Sequence, residues 1–456
     1  MKNIKAGAEN AARVLYKKNL PAEKSYRLSR QTVLLAENGR ALLEHTFTRE
    51  VTELTAAEYA AVSALSSPQP LSYLEAHGLT ELARKRYLVE ADHDEAAAYS
   101  NAVFLLNTMA KHAPGLRSYV IFPTTACNAR CVYCFEEGFA VRTMTAETAA
   151  RLADFICETK REGKITLRWF GGEPLAAVPV IRQICETLNG RGVPFVSRMV
   201  TNASLLTKAL AHEAKERWHM EYVQVSLDGA KADYTARKRF CNPESDNYES
   251  VMQAIQFLAD EDIEVMLRVN VDMENISRIG EFLDDIAAEF GDMAHLGLYL
   301  AQLSQARKSE DCEALQRLIR SFDSRIRAMT HPAAQPKKKC TVRTNHCMAD
   351  SIGESIVILP DGTFNHCENP DASHSWGDIF RGVTDPALLE RLKKPAETAA
   401  ECRECPFLPE CTPFYRHGCR EWFKGCRVCK EIDHEARLRD LMEGVNTVTD
   451  HDNEEL

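Results

Sequence analysis

The chain has 456 residues and a net charge of −10, with 45% hydrophobic and 27% charged residues. That length suits two or three globular domains, one of which can be a barrel of about 200–250 residues. The composition excludes a disordered or fibrous chain; the acidic balance, whose one compact basic run Lys337-Lys338-Lys339 reads as a solvated loop, argues against a nucleic-acid substrate; and no stretch reaches the ~18 continuous apolar residues of a membrane helix.

Residues 1–20 carry scattered charges and no apolar core, so they do not read as a signal peptide, and a cytoplasmic location is expected. In that reducing compartment the 16 cysteines are not a disulfide framework, and those that cluster read as metal ligands. The clusters are Cys127, Cys131 and Cys134, then nine cysteines from Cys340 to Cys429. Cys157 and Cys185 fall in apolar helical contexts, as small buried hydrophobes do.

In chain order, residues 32–36 are an apolar run, Asn38-Gly39 is a hairpin turn, 41–47 returns, and 50–54 alternates as a third strand. Thr55 and Glu58 form a capping box for a helix to about residue 65. Short helices are expected near 71–77 and 79–86, and a closing strand at 87–90. These elements make a small domain over 1–95, followed by a helical linker over 96–115. Strands then alternate with amphipathic helices: strands at 119–123 (with Pro123 as a stop), 164–169, 195–200, 221–227, 263–269 and 296–300, and helices at 145–160, 204–218, 248–260 and 276–290. Six β/α units imply an α/β fold with a parallel sheet, curled into a partial (β/α)6 TIM-like barrel over 116–336. Its active site is expected at the C-terminal strand ends. Residues 337–445 are loop-rich and cysteine-rich, like a domain held by metals. An acidic tail, 446–456, follows.

Just past the first barrel strand stands Cys127-Asn128-Ala129-Arg130-Cys131-Val132-Tyr133-Cys134. A structural zinc closes its shell with four ligands, whereas three thiolates on an iron–sulfur cluster leave one iron open. The Cys-x3-Cys-x2-Cys arrangement, with Tyr133 before the last cysteine, resembles the signature of the radical S-adenosylmethionine (SAM) superfamily. The resemblance implies that the three thiolates hold a 4Fe–4S cluster whose open iron binds the amino and carboxylate groups of SAM. Further motifs stand at the strand ends. Gly171-Gly172-Glu173-Pro174 corresponds to the family's holder of the SAM amino group. Asn202, after Thr201, corresponds to a polar SAM contact, and Ser226 in Ser226-Leu227-Asp228-Gly229 to a contact with the ribose or the carboxylate. Arg237 and Arg239 are candidates to pair with the SAM carboxylate, and Arg268 competes with them. Ala203 stands where the family often has glycine.

The C-terminal third resembles the SPASM domain, an extension with two auxiliary 4Fe–4S clusters, which makes three clusters in all. Cys347 is followed by fourteen residues, Gly362, four residues and Cys367; then come Cys402-x2-Cys405-x5-Cys411, Gly418-Cys419, Cys426 and Cys429. By that resemblance Cys340, Cys347, Cys367 and Cys419 hold one auxiliary cluster. Cys402, Cys405, Cys411 and one of Cys426 or Cys429 hold the other. Seven residues separate Cys411 from Cys419 where the family has three. Two zinc sites built on the Cys-x2-Cys pairs are the alternative. Glu368 stands where sulfatase-maturating relatives have an acidic base, and His346 and His366 flank the ligand cysteines.

The element order of residues 1–95 resembles the winged-helix-like leader-recognition element of peptide-modifying enzymes, which offers an open strand edge to an extended peptide. As a whole the chain resembles a radical SAM/SPASM maturase of ribosomally made peptides. The implied partners are a precursor peptide, its leader bound by the N-terminal domain, and a flavodoxin- or ferredoxin-type reductant. The implied reaction is thioether formation between a peptide cysteine and another residue's carbon by way of a 5′-deoxyadenosyl radical. Alternatives are a sulfatase-maturating enzyme, a carbon–carbon cross-linking maturase, and, outside enzymes, a zinc-binding scaffold.

Overall fold

The structure is a computed structural model and describes residues 2–4, 15–110, 115–242, 244–291, 293–303, 311–329, 353–368, 375–393, 402–411 and 426–443. The chain forms two compact units. One takes residues 1–110, 337–346 and 395–452, the other 111–336, 347–394 and 453–456, so the cysteine-rich stretch contributes to both.

In the first unit, β1 (Lys2–Ile4), β2 (Ser25–Leu28), β3 (Thr32–Glu37), β4 (Arg40–His45) and β5 (Glu50–Leu54) precede α1 (Ala56–Ser63). One antiparallel sheet has the order β1-β5-β4-β3. Its hairpin turns on Asn38 and Gly39 at φ 53° and 76°, the left-handed pair a type I′ turn needs. The capping box is formed: the Thr55 side chain accepts from the Glu58 N–H, and the Glu58 carboxylate accepts from the Thr55 N–H at 2.8 Å. Then follow β6 (Gln69–Pro70), α2 (Leu71–Ala76), α3 (Thr80–Arg84), β7 (Leu88–Glu90) and α4 (Glu95–Ala110), whose Ala96 and Tyr99 pack with Phe47 and Leu408 inside this unit. The strands β1, β2 and β6 have no periodic signal in the sequence, because they are too short for alternation to register. The C-terminal helix Cys426–Met442 belongs to this unit, where Leu438 packs with Leu35, Leu42 and Val51.

In the second unit, β8 (Ser118–Thr124), β9 (Ile165–Gly171), β10 (Phe195–Thr201), β11 (Met220–Ser226), β12 (Glu264–Val271) and β13 (Leu296–Gln302) lie parallel in chain order. They are connected by α5 (Ala146–Thr159), α6 (Val178–Gly190), α7 (Lys208–Glu216), α8 (Lys231–Lys238), α9 (Asn247–Asp260) and α10 (Ile279–Phe290). Ile165, Leu167 and Trp169 of β9 are buried with helix residues such as Ile156, Ile181 and Ile255, while Thr166, Arg168 and Phe170 on the other face are only half-buried. Each fully buried aliphatic side chain of that core contributes about 1.5–3 kcal/mol by leaving water. This is the partial TIM-like barrel that the β/α alternation implies, with two additions. β14 (Ser355–Ile358) pairs parallel with β8, and β15 (Phe364–Asn365) pairs antiparallel with β14, making eight strands. Pro123 is not a stop: β8 runs on to Thr124 through a register irregularity between Ile121 and Thr124, which accommodates the missing N–H. Among the described residues no helix is long and apolar enough to cross a membrane.

Candidate metal and cofactor centre

Parallel packing puts the C-terminal ends of β8 to β12 at one edge of the sheet. The cysteine loop leaves β8 there and is held from two sides. On one side the Gly172 N–H donates to the Thr124 carbonyl at 3.2 Å and the Glu173 N–H to that of Ala126 at 2.8 Å. On the other side α8 ends. Its last carbonyls have no partner within the helix, and the loop supplies donors: Val132 N–H to Arg237 O and Arg130 N–H to Lys238 O, both at 3.0 Å. Arg239 caps the helix in the left-handed conformation, φ 49°, and the chain then turns so that the Cys241 N–H reaches the Asn128 carbonyl at 2.8 Å. Cys131 is thus bracketed by two hydrogen bonds to the end of α8.

The Ala129 N–H donates to Cys127 Sγ at 3.4 Å, and the Asn202 amide lies 4.0 Å from the same sulfur. Burial pushes the Cys127 thiol up to about 12, and Glu173 and the other two cysteines add to the effect. Burial raises Cys131 and Cys134 as well. Among the described residues no three His, Cys, Asp or Glu side chains gather round the position of one ion. The donor set is three soft sulfurs along one loop, reluctant to ionise by themselves and stabilised as thiolates by a cationic cluster, which fits iron–sulfur ligation.

Both glycines of the next motif are sterically required. A Cβ on Gly171 (φ 103°) would lie 2.6 Å from the Thr124 carbonyl oxygen, and one on Gly172 2.4 Å from that of Ala126. The Glu173 carboxylate has no exposure and accepts from the Thr201 hydroxyl at 2.6 Å, the Asn202 N–H at 2.8 Å and the Leu175 N–H at 3.0 Å. Burial raises its pKa and these bonds oppose the rise. Glu173 therefore fastens the end of β9 to the end of β10. Asn202 donates to Asn128 Oδ1 at 2.9 Å, which ties the same strand end to the cysteine loop. Ala203 sits at φ 58°, a left-handed conformation that costs a residue with a Cβ about 1–2 kcal/mol. Its N–H donates to Thr201 Oγ1 at 2.9 Å, so the turn is held without glycine.

Tyr133 and Ser226 meet at a buried group that the sequence reading passed over. Lys238, with a side chain 3% exposed, donates to Ser226 Oγ at 2.7 Å and to Tyr133 Oη at 2.9 Å, and pairs with the fully buried Asp228 at 3.4 Å. Tyr133 donates to Asp228, and the Asn270 amide donates to Asp228 Oδ1 at 2.9 Å. Burial alone would lower the Lys238 ammonium, but Asp228, Tyr133 and Cys131 hold it well above its ordinary value. The available signal was helical spacing. Lys238 lies four residues after the buried Tyr234, on one face of α8, whereas its neighbour Arg239 is exposed.

The arginine candidates are dispersed. Arg237 is buried and bonds Asp272 through both terminal nitrogens, at 2.7 and 3.2 Å. Arg239 is the exposed helix cap. Arg268 donates to Asn270 Oδ1 at 3.0 Å and lies 3.5 Å from Tyr299 Oη. Glu368, beside the half-buried Cys367, is pushed up to about 7 by burial, against the opposing charges of Arg168 and Arg268 on β9 and β12. In the first unit Cys402 and Cys405 share a turn, with Cys405 N–H donating to Cys402 O at 3.1 Å. Cys411 ends the short helix Leu408–Cys411, and Cys426 and Cys429 fall in the first turn of Cys426–Met442. Cys340, Cys347, Cys419 and His346 lie outside the described residues.

Residues 121–286 match the model of the Radical SAM superfamily. Among curated proteins, an uncharacterized protein of Methanocaldococcus jannaschii is 26% identical over 117 residues, 25% of this chain, and the chain spans 40% of that relative's length. Among solved structures, native anSMEcpe with bound AdoMet has a TM-score of 0.54 at 16% identity, covering 73% of this chain and 100% of its own. The same protein with AdoMet and the Cp18Cys peptide has a TM-score of 0.53, also at 16% identity, covering 73% and 99%. Streptococcus suis SuiB bound to precursor peptide SuiA is 14% identical over 85% of this chain and 94% of its own, at 0.49. At 16% identity the likeness to anSMEcpe is one of fold.

Proposed function

Because residues 121–286 form a radical SAM domain, we propose that the chain is a radical SAM/SPASM enzyme that modifies a ribosomally made precursor peptide by forming a thioether between a cysteine sulfur and a carbon of another residue. The carrying observation is the tethering of the cysteine loop to three strand-end motifs. Glu173 bonds Thr201 and Asn202, Asn202 reaches Asn128 and lies beside Cys127, and Lys238 joins Tyr133 to Ser226. Cys127, Cys131 and Cys134 would hold a 4Fe–4S cluster with SAM as its fourth ligand. When bound, the pair supplies a 5′-deoxyadenosyl radical able to take a hydrogen atom from a peptide carbon. Cys340, Cys347, Cys367 and Cys419 would hold one auxiliary cluster; Cys402, Cys405, Cys411 and either Cys426 or Cys429 the other. Thioether formation removes two hydrogens and two electrons from the peptide, one electron within the abstracted hydrogen atom, and an auxiliary cluster would provide the acceptor for the second.

The chain's own part is positioning. The Gly171-Gly172-Glu173 turn and Asn202 orient the amino end of SAM and Ser226 its carboxylate or ribose; Arg237, Arg239 and Arg268 are the competing candidates to pair with the SAM carboxylate, of which Arg237 is already engaged by Asp272. The recognition domain expected over residues 1–95 would bind the leader as an added strand, and a flavodoxin or ferredoxin would deliver the reducing electron. The structure of anSMEcpe with AdoMet and a peptide supports a peptide as substrate for this fold. Glu368, which burial pushes up to about 7 against the charges of Arg168 and Arg268, favours a second reading, a sulfatase-maturating type of oxidation with Glu368 as base, because such a carboxyl suits proton transfer at neutral pH.

Anaerobic purification and reconstitution test both readings. The protein is expected to be brown, to carry about twelve irons per chain, and to cleave SAM when reduced. A colourless protein with stoichiometric zinc overturns them. Cys411→Ala is expected to leave SAM cleavage intact and stop product formation; full product from that variant removes the auxiliary cluster from the mechanism.

A further inference from the structure

Lys238 uses its ammonium within the protein. One hydrogen goes to Ser226 Oγ at 2.7 Å, one to Tyr133 Oη at 2.9 Å, and Asp228 lies at 3.4 Å. Tyr133 Oη is fully committed, since it accepts from Lys238 and donates to Asp228. Ser226 is not. An ammonium has donors only, so Ser226 Oγ must receive here, and its own hydrogen is turned away from Lys238. Among the described residues no acceptor takes that hydrogen, and Ser226 is half-buried at the open end of β11. A serine hydroxyl ordinarily rotates freely; this one is restricted to keeping its hydrogen off Lys238, where it is left for an acceptor outside the network. The restriction is built in, because Lys238 is the last residue of α8 and its carbonyl accepts from Arg130 of the cysteine loop at 3.0 Å.

We propose that Lys238 is a positioning residue of the SAM site, which fixes Ser226 as a hydrogen-bond donor to the carboxylate of SAM. The proposal rests on the radical SAM reading. Lys238 does not touch SAM; it acts through Ser226. A compact ammonium suits this place, because arginine's planar fork could not serve the Ser226 and Tyr133 oxygens and Asp228 from a single point.

The test is SAM binding to the full-length, anaerobically reconstituted protein, measured by titration calorimetry and by the change that SAM makes in the electron paramagnetic resonance spectrum of the reduced cluster. Lys238→Met is expected to weaken SAM binding about 10- to 100-fold, the usual cost of losing a residue that orients a ligand, with iron content unchanged. Ser226→Ala is expected to weaken it comparably, and the double variant S226A/K238M to fall within about twofold of S226A alone, because a residue acting through another is not additive with it. A Lys238→Met protein that binds SAM as the wild type does, or two losses that multiply in full, overturns the proposal. Should Lys238→Met not load its cluster, the charge-neutral D228N/K238M is read in its place; failure of both to load assigns Lys238 a structural role only and overturns the proposal too. A wild type that carries its cluster and binds no SAM refutes the radical SAM reading itself, a result distinct from an unaffected variant.

Discussion

Glu44 in the first unit and Asp228 in the second are both carboxylates with no exposure to water, and both face cations. Around Glu44 the circle is closed. His434 bonds one oxygen at 2.8 Å, Arg437 the other, and Arg49 stands 3.7 Å away. Burial alone would raise the Glu44 carboxyl, but Arg437, His434 and Arg49 outweigh it and hold it at about 2. Both oxygens of the carboxylate are answered within the chain, and the result is attachment of the helix Cys426–Met442 to β4. Around Asp228 the circle is open at one point, the hydrogen of Ser226, and it borders the cysteine loop. A closed buried network fastens elements together; one with a single oriented group left over prepares a site for something that arrives later.

The contrast yields predictions of decreasing size. Cys131→Ala, at the open site, is expected to abolish 5′-deoxyadenosine formation altogether while leaving the acid unfolding curve governed by Glu44 unchanged; residual SAM cleavage by the variant would show that the loop is not the centre. Glu44→Gln, at the closed network, is expected to cost about 3–5 kcal/mol of stability, since it leaves Arg437 and Arg49 without their buried partner. The same residue sets a pH dependence. Its carboxyl is depressed on folding, so the stability it contributes is present above its ordinary value of 4.5 and is lost as pH falls toward about 2. Circular dichroism melts between those limits are expected to slope in the wild type and to flatten in the variant. Gly172→Ala drives a Cβ to 2.4 Å from the Ala126 carbonyl, and is expected to slow SAM cleavage about 100-fold by displacing the turn, with the first unit unaffected. Thr55→Ala removes one half of the capping box on α1 and is expected to cost about 1 kcal/mol, a shift of a few degrees in Tm with SAM binding intact.

Much of this was legible along the chain. The alternation of apolar runs and amphipathic helices located β8 to β13 within a few residues, because parallel strands buried on their helix side must be apolar there. Asn38-Gly39 and Thr55/Glu58 announced their turn and cap because those geometries depend on neighbours in sequence. β14 and β15 were not legible: β14 pairs with β8 across more than two hundred residues, and a four-residue strand carries no periodicity. Nor was Arg237 separable from Lys238. They sit side by side in one basic run, and only the packing of α8 sends the first to Asp272 and the second to Tyr133 and Ser226.

By itself the sequence determined the inventory of the site: three thiols past a strand end, two glycines where backbones must nearly touch, and polar residues after successive strands. These are local demands of chemistry and chain geometry, written at fixed spacings. Only the tertiary structure decided which of the polar groups are consumed and which are left to act. Glu173 is taken up by β10, Arg237 by Asp272 and Lys238 by Asp228, while Ser226 keeps a free hydrogen, because a buried charge must find its partner wherever the fold brings one.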